Sequence, residues 1–103
     1  FLIAQFDVYK NINESSKESI PYLLDIQNDI LKTLSSRVVV PLVINSKGAK
    51  ILNPIFEIEN KKVIMSTAEL ASIPINKIGE KVCSLEERRD EIIGAIDFLI
   101  TGF

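Results

Sequence analysis

Apolar and polar positions alternate early in the chain. Phe6 and Val8 flank Asp7, and Tyr9 and Lys10 follow, which predicts a first strand over residues 4–10. Residues 11–19 (NINESSKES) are polar and rich in turn formers, and predict a loop. Residues 20–27 (IPYLLDIQ) predict a second strand, with Pro21 at its start or on an edge because proline cannot donate to a ladder. Residues 28–36 read as a loop or short turn that carries two large apolar side chains, Ile30 and Leu31, between Asp29 and Lys32. Residues 37–44 (RVVVPLVI) are nearly all apolar and β-branched, the pattern of a central strand bent at Pro41. A polar loop pivoting on Gly48 follows over 45–53, and two short strands, 55–59 and 62–67, are expected to join in a hairpin across Asn60 and Lys61. One helical turn is expected over 68–72 and a strand over 75–78.

The last segment has the clearest period. Ser84 and Glu87 have the spacing of a capping box, in which each side chain satisfies the other's free backbone N–H, so a helix is predicted over 85–100. At about 100° per residue, Leu85, Ile92, Ile93, Ala95, Ile96, Leu99 and Ile100 form one broad apolar arc. That arc is wide enough to pack on a sheet and leave an edge over. Asp90, Gly94, Asp97, Phe98 and Thr101 lie opposite, and Phe98 with Gly94 four residues before it predicts a shallow recess beside a ring. The tip Thr101-Gly102-Phe103 adds a second aromatic. Aromatics bury a large area with few rotors to freeze, as a binding anchor must. The same side chains also suit ordinary packing: Phe98 on a loop, Phe103 folded back on the sheet, Ile30 and Leu31 plugging the end of a barrel.

Composition narrows the function classes. The 103 residues fit a single domain, 1–103, of mostly β (α+β) class. A net charge of −2 argues against bulk attraction to nucleic-acid backbones. There is no histidine, the commonest general base and zinc ligand, and the single cysteine, Cys83, cannot form an internal disulfide and fits a reducing cytoplasm. The longest uncharged apolar run, 38–44, is too short to span a bilayer, and Phe1 to Ala4 do not read as a secretory signal. Neither Cys83 nor any serine has a histidine to activate it. Glu86, Glu87, Asp90 and Glu91 are interleaved with Arg88 and Arg89, the pattern of a solvated, ion-paired helix face. The four glycines, at 48, 79, 94 and 102, make no phosphate loop. The expectation is a protein that grips another protein, without catalytic residue, metal or cofactor. The one Arg-plus-carboxylate alternative, a ribonuclease, rests on Arg37 with a nearby acid.

Several segments in series carry a family resemblance: QFDVY (5–9), DIQNDIL (25–31), RVVVPL (37–42), ASIP (71–74) and AIDFLITGF (95–103). Together they resemble the CcdB toxins of bacterial toxin–antitoxin modules, over about residues 5–103. The resemblance implies a small SH3-like β-barrel with a C-terminal helix, assembled as a homodimer. It implies a poison of DNA gyrase that binds the A subunit and traps the enzyme on cleaved DNA. It implies neutralisation by a CcdA-like antitoxin, and operon repression in which DNA is touched only through that antitoxin. By match, the gyrase-contacting positions fall on Ile30, Leu31, Asp97, Thr101, Gly102 and Phe103; Phe98 joins them from the helix-face argument alone. The best-known members carry Trp where this chain has Thr101 and Ile where it has Phe103. An endoribonuclease on the same fold, or an inactive relative that only binds antitoxin, are the alternatives.

Overall fold

The computed structural model describes residues 4–31, 34–44 and 53–102. Seven strands form one antiparallel sheet: β1 (Asp7–Asn11), β2 (Tyr22–Asp25), β3 (Ser36–Ile44), β4 (Ile55–Ile58), β5 (Lys61–Met65), β6 (Ala71–Pro74) and β7 (Ile78–Ser84). The order is β4-β5-β3-β2-β1-β7, with β6 paired to β3. Single 3₁₀ turns lie at Asp29–Leu31, Thr67–Glu69, Ile75–Lys77 and Glu86–Arg88, and the last leads into α1 (Arg89–Thr101). The class is therefore mostly β: a curled half-barrel with one C-terminal helix.

Period-two alternation sends neighbouring side chains of the central strands to opposite faces. Val8, Tyr22, Leu24, Val40 and Leu42 join Phe56, Ile58, Val63, Met65 and Ile92 of α1 in the main core. Tyr9, Leu23 and Val39 turn the other way and pack with Ile78 in a second, smaller core. The middle of the sheet is thus buried on both faces, which is why residues 37–44 read as an unbroken apolar run.

The curl has a local cause at Pro41. β3 pairs with β6 through residues 36–39 and with β5 through residues 42–44, so its partner changes at Pro41. The Pro41 carbonyl accepts from Ser66 N at 3.0 Å, which puts the N–H that proline lacks on the side where the two partner strands part. Phe6 sets a second corner. It is a buried aromatic at φ 71°, its N–H donates to Asp25 O at 2.7 Å, and its carbonyl accepts from Leu85 N at 2.7 Å. Such a backbone conformation costs about 1–3 kcal/mol for a non-glycine residue and persists only where its surroundings over-determine it. It explains why β1 begins at Asp7 rather than at residue 4.

Four local expectations are corrected. The hairpin turns on Glu59 and Asn60, at φ 51° and 65°, not on Asn60 and Lys61. Positive φ at both central residues matches the right-handed twist of the strands, here without the usual glycine. Residues 75–77 form a 3₁₀ turn, and a strand over 78–84 follows where only residues 75–78 were expected. Gly79 lies in that strand because β1 passes close by: a Cβ there would sit 2.7 Å from Lys10 O. The helical turn expected over 68–72 is a 3₁₀ turn at Thr67–Glu69, after which the chain extends into β6. Finally, Ser84 Oγ accepts from Glu86 N at 3.2 Å and so caps the 3₁₀ turn, while the α-helix starts at Arg89, four residues later than expected. The loop expected over 45–53 falls almost wholly outside the described residues.

The chain has two tyrosines and no tryptophan, and both phenols are buried. Tyr9 donates to Asp7 Oδ2 at 3.1 Å and Tyr22 to Glu59 Oε1 at 2.6 Å. Burial first, with these carboxylates adding to it, pushes both hydroxyls above the ordinary 10.0. Below pH 10.0 both states keep the proton and nothing changes; above it the unfolded chain ionises first, so stability falls as pH rises. The phenolate absorbance should therefore stay flat past pH 10.0 and appear together with loss of the far-UV dichroism. A phenolate titration centred near 10.0 in the intact fold would contradict it.

Candidate functional site

Two charges out of contact with water organise the turn between β2 and β3. Arg37 Nε donates to Asp25 Oδ2 at 2.6 Å and Arg37 Nη2 to Asp25 Oδ1 at 2.9 Å, with the two side chains 1% and 0% exposed. Arg37 Nη2 also donates to Gln27 O at 3.1 Å and lies 3.5 Å from Asp29 Oδ1. Asp25 Oδ1 accepts from Gln27 N at 2.9 Å, and Asp29 Oδ1 accepts from Gln5 N at 2.8 Å. The Gln27 side chain accepts from Val38 N at 2.9 Å and donates to Leu31 O at 3.1 Å. Asn28 Oδ1 accepts from Ile30 N at 2.9 Å, and Asn28 O accepts from Leu31 N at 3.0 Å. On this support stand Ile30, 83% exposed, and Leu31, 46% exposed. The pair does not plug a barrel end; it faces outward.

The helix divides into a docked half and a free half. Arg88, just before it, forks onto Glu91 at 2.7 and 2.9 Å, donates to Ile55 O at 3.2 Å and lies over the Phe56 ring at 4.6 Å. Arg88 hydrogen bonding holds the Glu91 carboxyl below its usual range. Ile92 is fully buried, and Ile93, Ala95 and Ile96 pack partly against the main core. Beyond them Phe98, Leu99 and Ile100 are 40%, 44% and 74% exposed. The end is nonetheless ordered by its own bonds. Gly102, at φ 79°, donates to Phe98 O at 2.9 Å, and Thr101 Oγ1 donates to Asp97 O at 2.7 Å. Asp97 is exposed, and its carboxylate joins no ion pair among the described residues.

The candidates therefore fall into two groups, Ile30 with Leu31 and Asp97 with Phe98, Thr101 and Gly102. Among the described residues, no hydrogen bond or ion pair of Asp29, Ile30 or Leu31 reaches α1. Phe103 lies outside the described residues. Leu99 and Ile100 are the edge that the broad apolar arc leaves over, so they belong with the exposed apolar end. Helical period identified them as apolar but carried no signal of where the sheet stops. A Cβ at Gly94 would meet nothing within 4 Å, so the recess expected beside Phe98 has no second wall.

Other chemistry is sparse. Burial pushes the Cys83 thiol up, which keeps it protonated and a poor nucleophile. Arg37 is spent on Asp25 and turned away from solvent. No group of three or more His, Cys, Asp or Glu among the described residues is placed to hold a metal ion. No described helix is long and apolar enough to cross a membrane. On the face opposite α1, a shallow groove of about 570 Å³ runs over Leu23, Ile12 and Ile73 with Asn11, Asn76 and Lys77 at its rim.

Comparison with known proteins places this geometry. The fold is similar to that of the Mycobacterium tuberculosis toxin MazF-mt6, at TM-score 0.67 and 15% identity, over 77% of this chain and 84% of that one. It is also similar to an endoribonuclease in complex with its cognate antitoxin from a mycobacterial species, at TM-score 0.74 and 10% identity, over 96% of this chain and 95% of that one. Identities this low speak for a shared fold alone. The sequence profile of the family described as CcdB protein matches residues 5–102. With almost the whole of its described length inside that match, the chain belongs to the CcdB family of toxins from toxin–antitoxin modules.

Proposed function

We propose that this toxin acts as a homodimer in the cytoplasm by gripping the A subunit of bacterial DNA gyrase and holding the enzyme on cleaved DNA, without being an enzyme itself. The observation that carries the reading is the pair of exposed apolar elements, Ile30 with Leu31 and Phe98 through Ile100, in a chain of this family. Each stands on a hydrogen-bonded support, so little chain entropy is lost when a partner covers it. A two-fold dimer presents each element twice and suits a two-fold target. A ligand that binds the cleaved state of gyrase better than the closed one shifts the population toward cleavage by that difference in affinity, with no chemistry of its own. A CcdA-like antitoxin would neutralise the toxin, and DNA would be reached only through it.

The ribonuclease reading has support in the fold shared with an endoribonuclease. Its candidate, Arg37, speaks against it: a guanidinium 1% exposed and forked onto Asp25 offers nothing to an RNA phosphate. The other forked pair, Arg88 with Glu91, is an exposed helix-surface pair three residues apart.

Two outcomes are expected. Purified gyrase with supercoiled plasmid should accumulate linear, enzyme-linked DNA when micromolar protein is added, while RNA stays intact in metal-free buffer; RNA cleavage without any rise in DNA cleavage would reverse the two readings. Ile100→Asp and Phe98→Ala should weaken that effect at least about tenfold, as for anchors at the centre of an interface; Ile100→Asp should leave the melting midpoint nearly unchanged, since Ile100 is 74% exposed, while Phe98→Ala should lower it modestly, since Phe98 is 40% exposed. Full potency in both variants would remove the helix end from the grip.

A further inference from the structure

Two large apolar side chains held out in water are usually mobile. Here the backbone beneath Ile30 and Leu31 is pinned at each step. The Ile30 N–H donates to Asn28 Oδ1 at 2.9 Å, the Leu31 N–H donates to Asn28 O at 3.0 Å, and the Leu31 carbonyl accepts from Gln27 Nε2 at 3.1 Å. The other end of the Gln27 amide is tied to Val38 N on β3, and its backbone to Asp25 and Arg37. Gln27 is 7% exposed with both ends of its amide bonded within the chain, and Asn28 is exposed yet turned back on its own chain.

We infer that Gln27 and Asn28 are positioning residues of the binding face: Gln27 fixes Leu31 to the sheet, Asn28 fixes the amide of Ile30, and neither needs to touch the partner. This rests on the reading of Ile30 and Leu31 as gyrase contacts. A short polar side chain whose oxygen accepts from the backbone two residues on makes a turn at no cost in burial. Its removal leaves the contacts in place and returns their ordering to the binding step, where fixing a loop is charged against affinity.

The chemistry selects the variants. Asn28→Ala removes the acceptor at Ile30; Asn28→Asp keeps it. Since Asn28 is exposed, neither threatens the fold, whereas Gln27→Ala strips partners from buried groups and serves only as a supporting variant. Two measurements are made on the full chain. Amide hydrogen exchange, without any partner, reads the Ile30 and Leu31 N–H groups. Binding to the purified A subunit of gyrase reads association and dissociation rates.

In Asn28→Ala, exchange at Ile30 should speed up about tenfold, the loss of about 1.4 kcal/mol of local protection. Dissociation from the A subunit should quicken by a similar factor with association little changed. Asn28→Asp should restore both. Unchanged exchange in Asn28→Ala, or equal loss of affinity in the Ala and Asp variants, overturns the positioning role. If the wild-type chain does not bind the A subunit at all, the gyrase reading fails instead, and the exchange arm still decides whether Asn28 orders the turn.

Discussion

One buried ion pair holds the candidate binding face in register with the sheet. Taking Asp25 and Arg37 out of water costs several kcal/mol per ion, and only near-ideal geometry with further hydrogen bonds offsets it. The offset here is partial: two prongs run from Arg37 to Asp25, Gln27 N adds a third donor to Asp25 and the Gln27 carbonyl accepts from Arg37, while Arg37 Nη1 is buried without a partner and burial still pushes the Asp25 carboxyl up. Two apolar residues of the same volume would fill the space between β2 and β3 as well, but would not dictate how the chain leaves β2. The charged pair does, because its bonds reach into the backbone of the turn that presents Ile30 and Leu31. The polar core therefore serves the shape of a surface more than the depth of a stability well.

The helix follows the same division of labour by other means. Its first half is fastened by Arg88 on β4 and by Ile92 in the core. Its second half runs past the sheet and keeps its form through its own C-cap at Gly102. Phe98, Leu99 and Ile100 are then an apolar end that the single chain leaves uncovered. The fold itself does not choose between functions. The same curled sheet, at 10–15% identity, occurs in a MazF toxin and in an endoribonuclease bound to its antitoxin, so function has to be argued from the side chains that the fold presents.

The strands were legible where apolar residues alternated with polar ones or ran unbroken, as at Phe6 to Tyr9 and at 37–44, and the apolar residues of α1 were legible from period alone. What sequence pattern missed has physical causes. β7 carries Gly79, Glu80 and Lys81 between the apolar Ile78 and Val82, so its middle shows no apolar alternation, and at Gly79 it comes within close reach of the β1 backbone. The hairpin register slipped by one residue because Glu59 adopts a left-handed φ usually left to Gly or Asn. The helix began late because Ser84 caps a 3₁₀ turn, which capping-box spacing cannot distinguish from an α-turn. Ile30 and Leu31 were visible as apolar residues in a polar loop, but their support was not: pairing Asp25 with Arg37, twelve positions on, needs the β2–β3 register. Ile100 was visible as part of the apolar arc, but which part of the arc stays uncovered was not, because period reports a face and not what covers it.

The decisive question is which surface meets the partner. Methyl and aromatic NMR of the labelled protein, titrated with the purified A subunit of gyrase, would show this directly. Signals of Ile30, Leu31, Phe98, Leu99 and Ile100 should broaden or shift together while those of Ile12, Leu23 and Ile73, in the groove on the opposite face, stay in place. A footprint on that groove, with the helix end and the Ile30 turn undisturbed, would put the grip elsewhere on the protein.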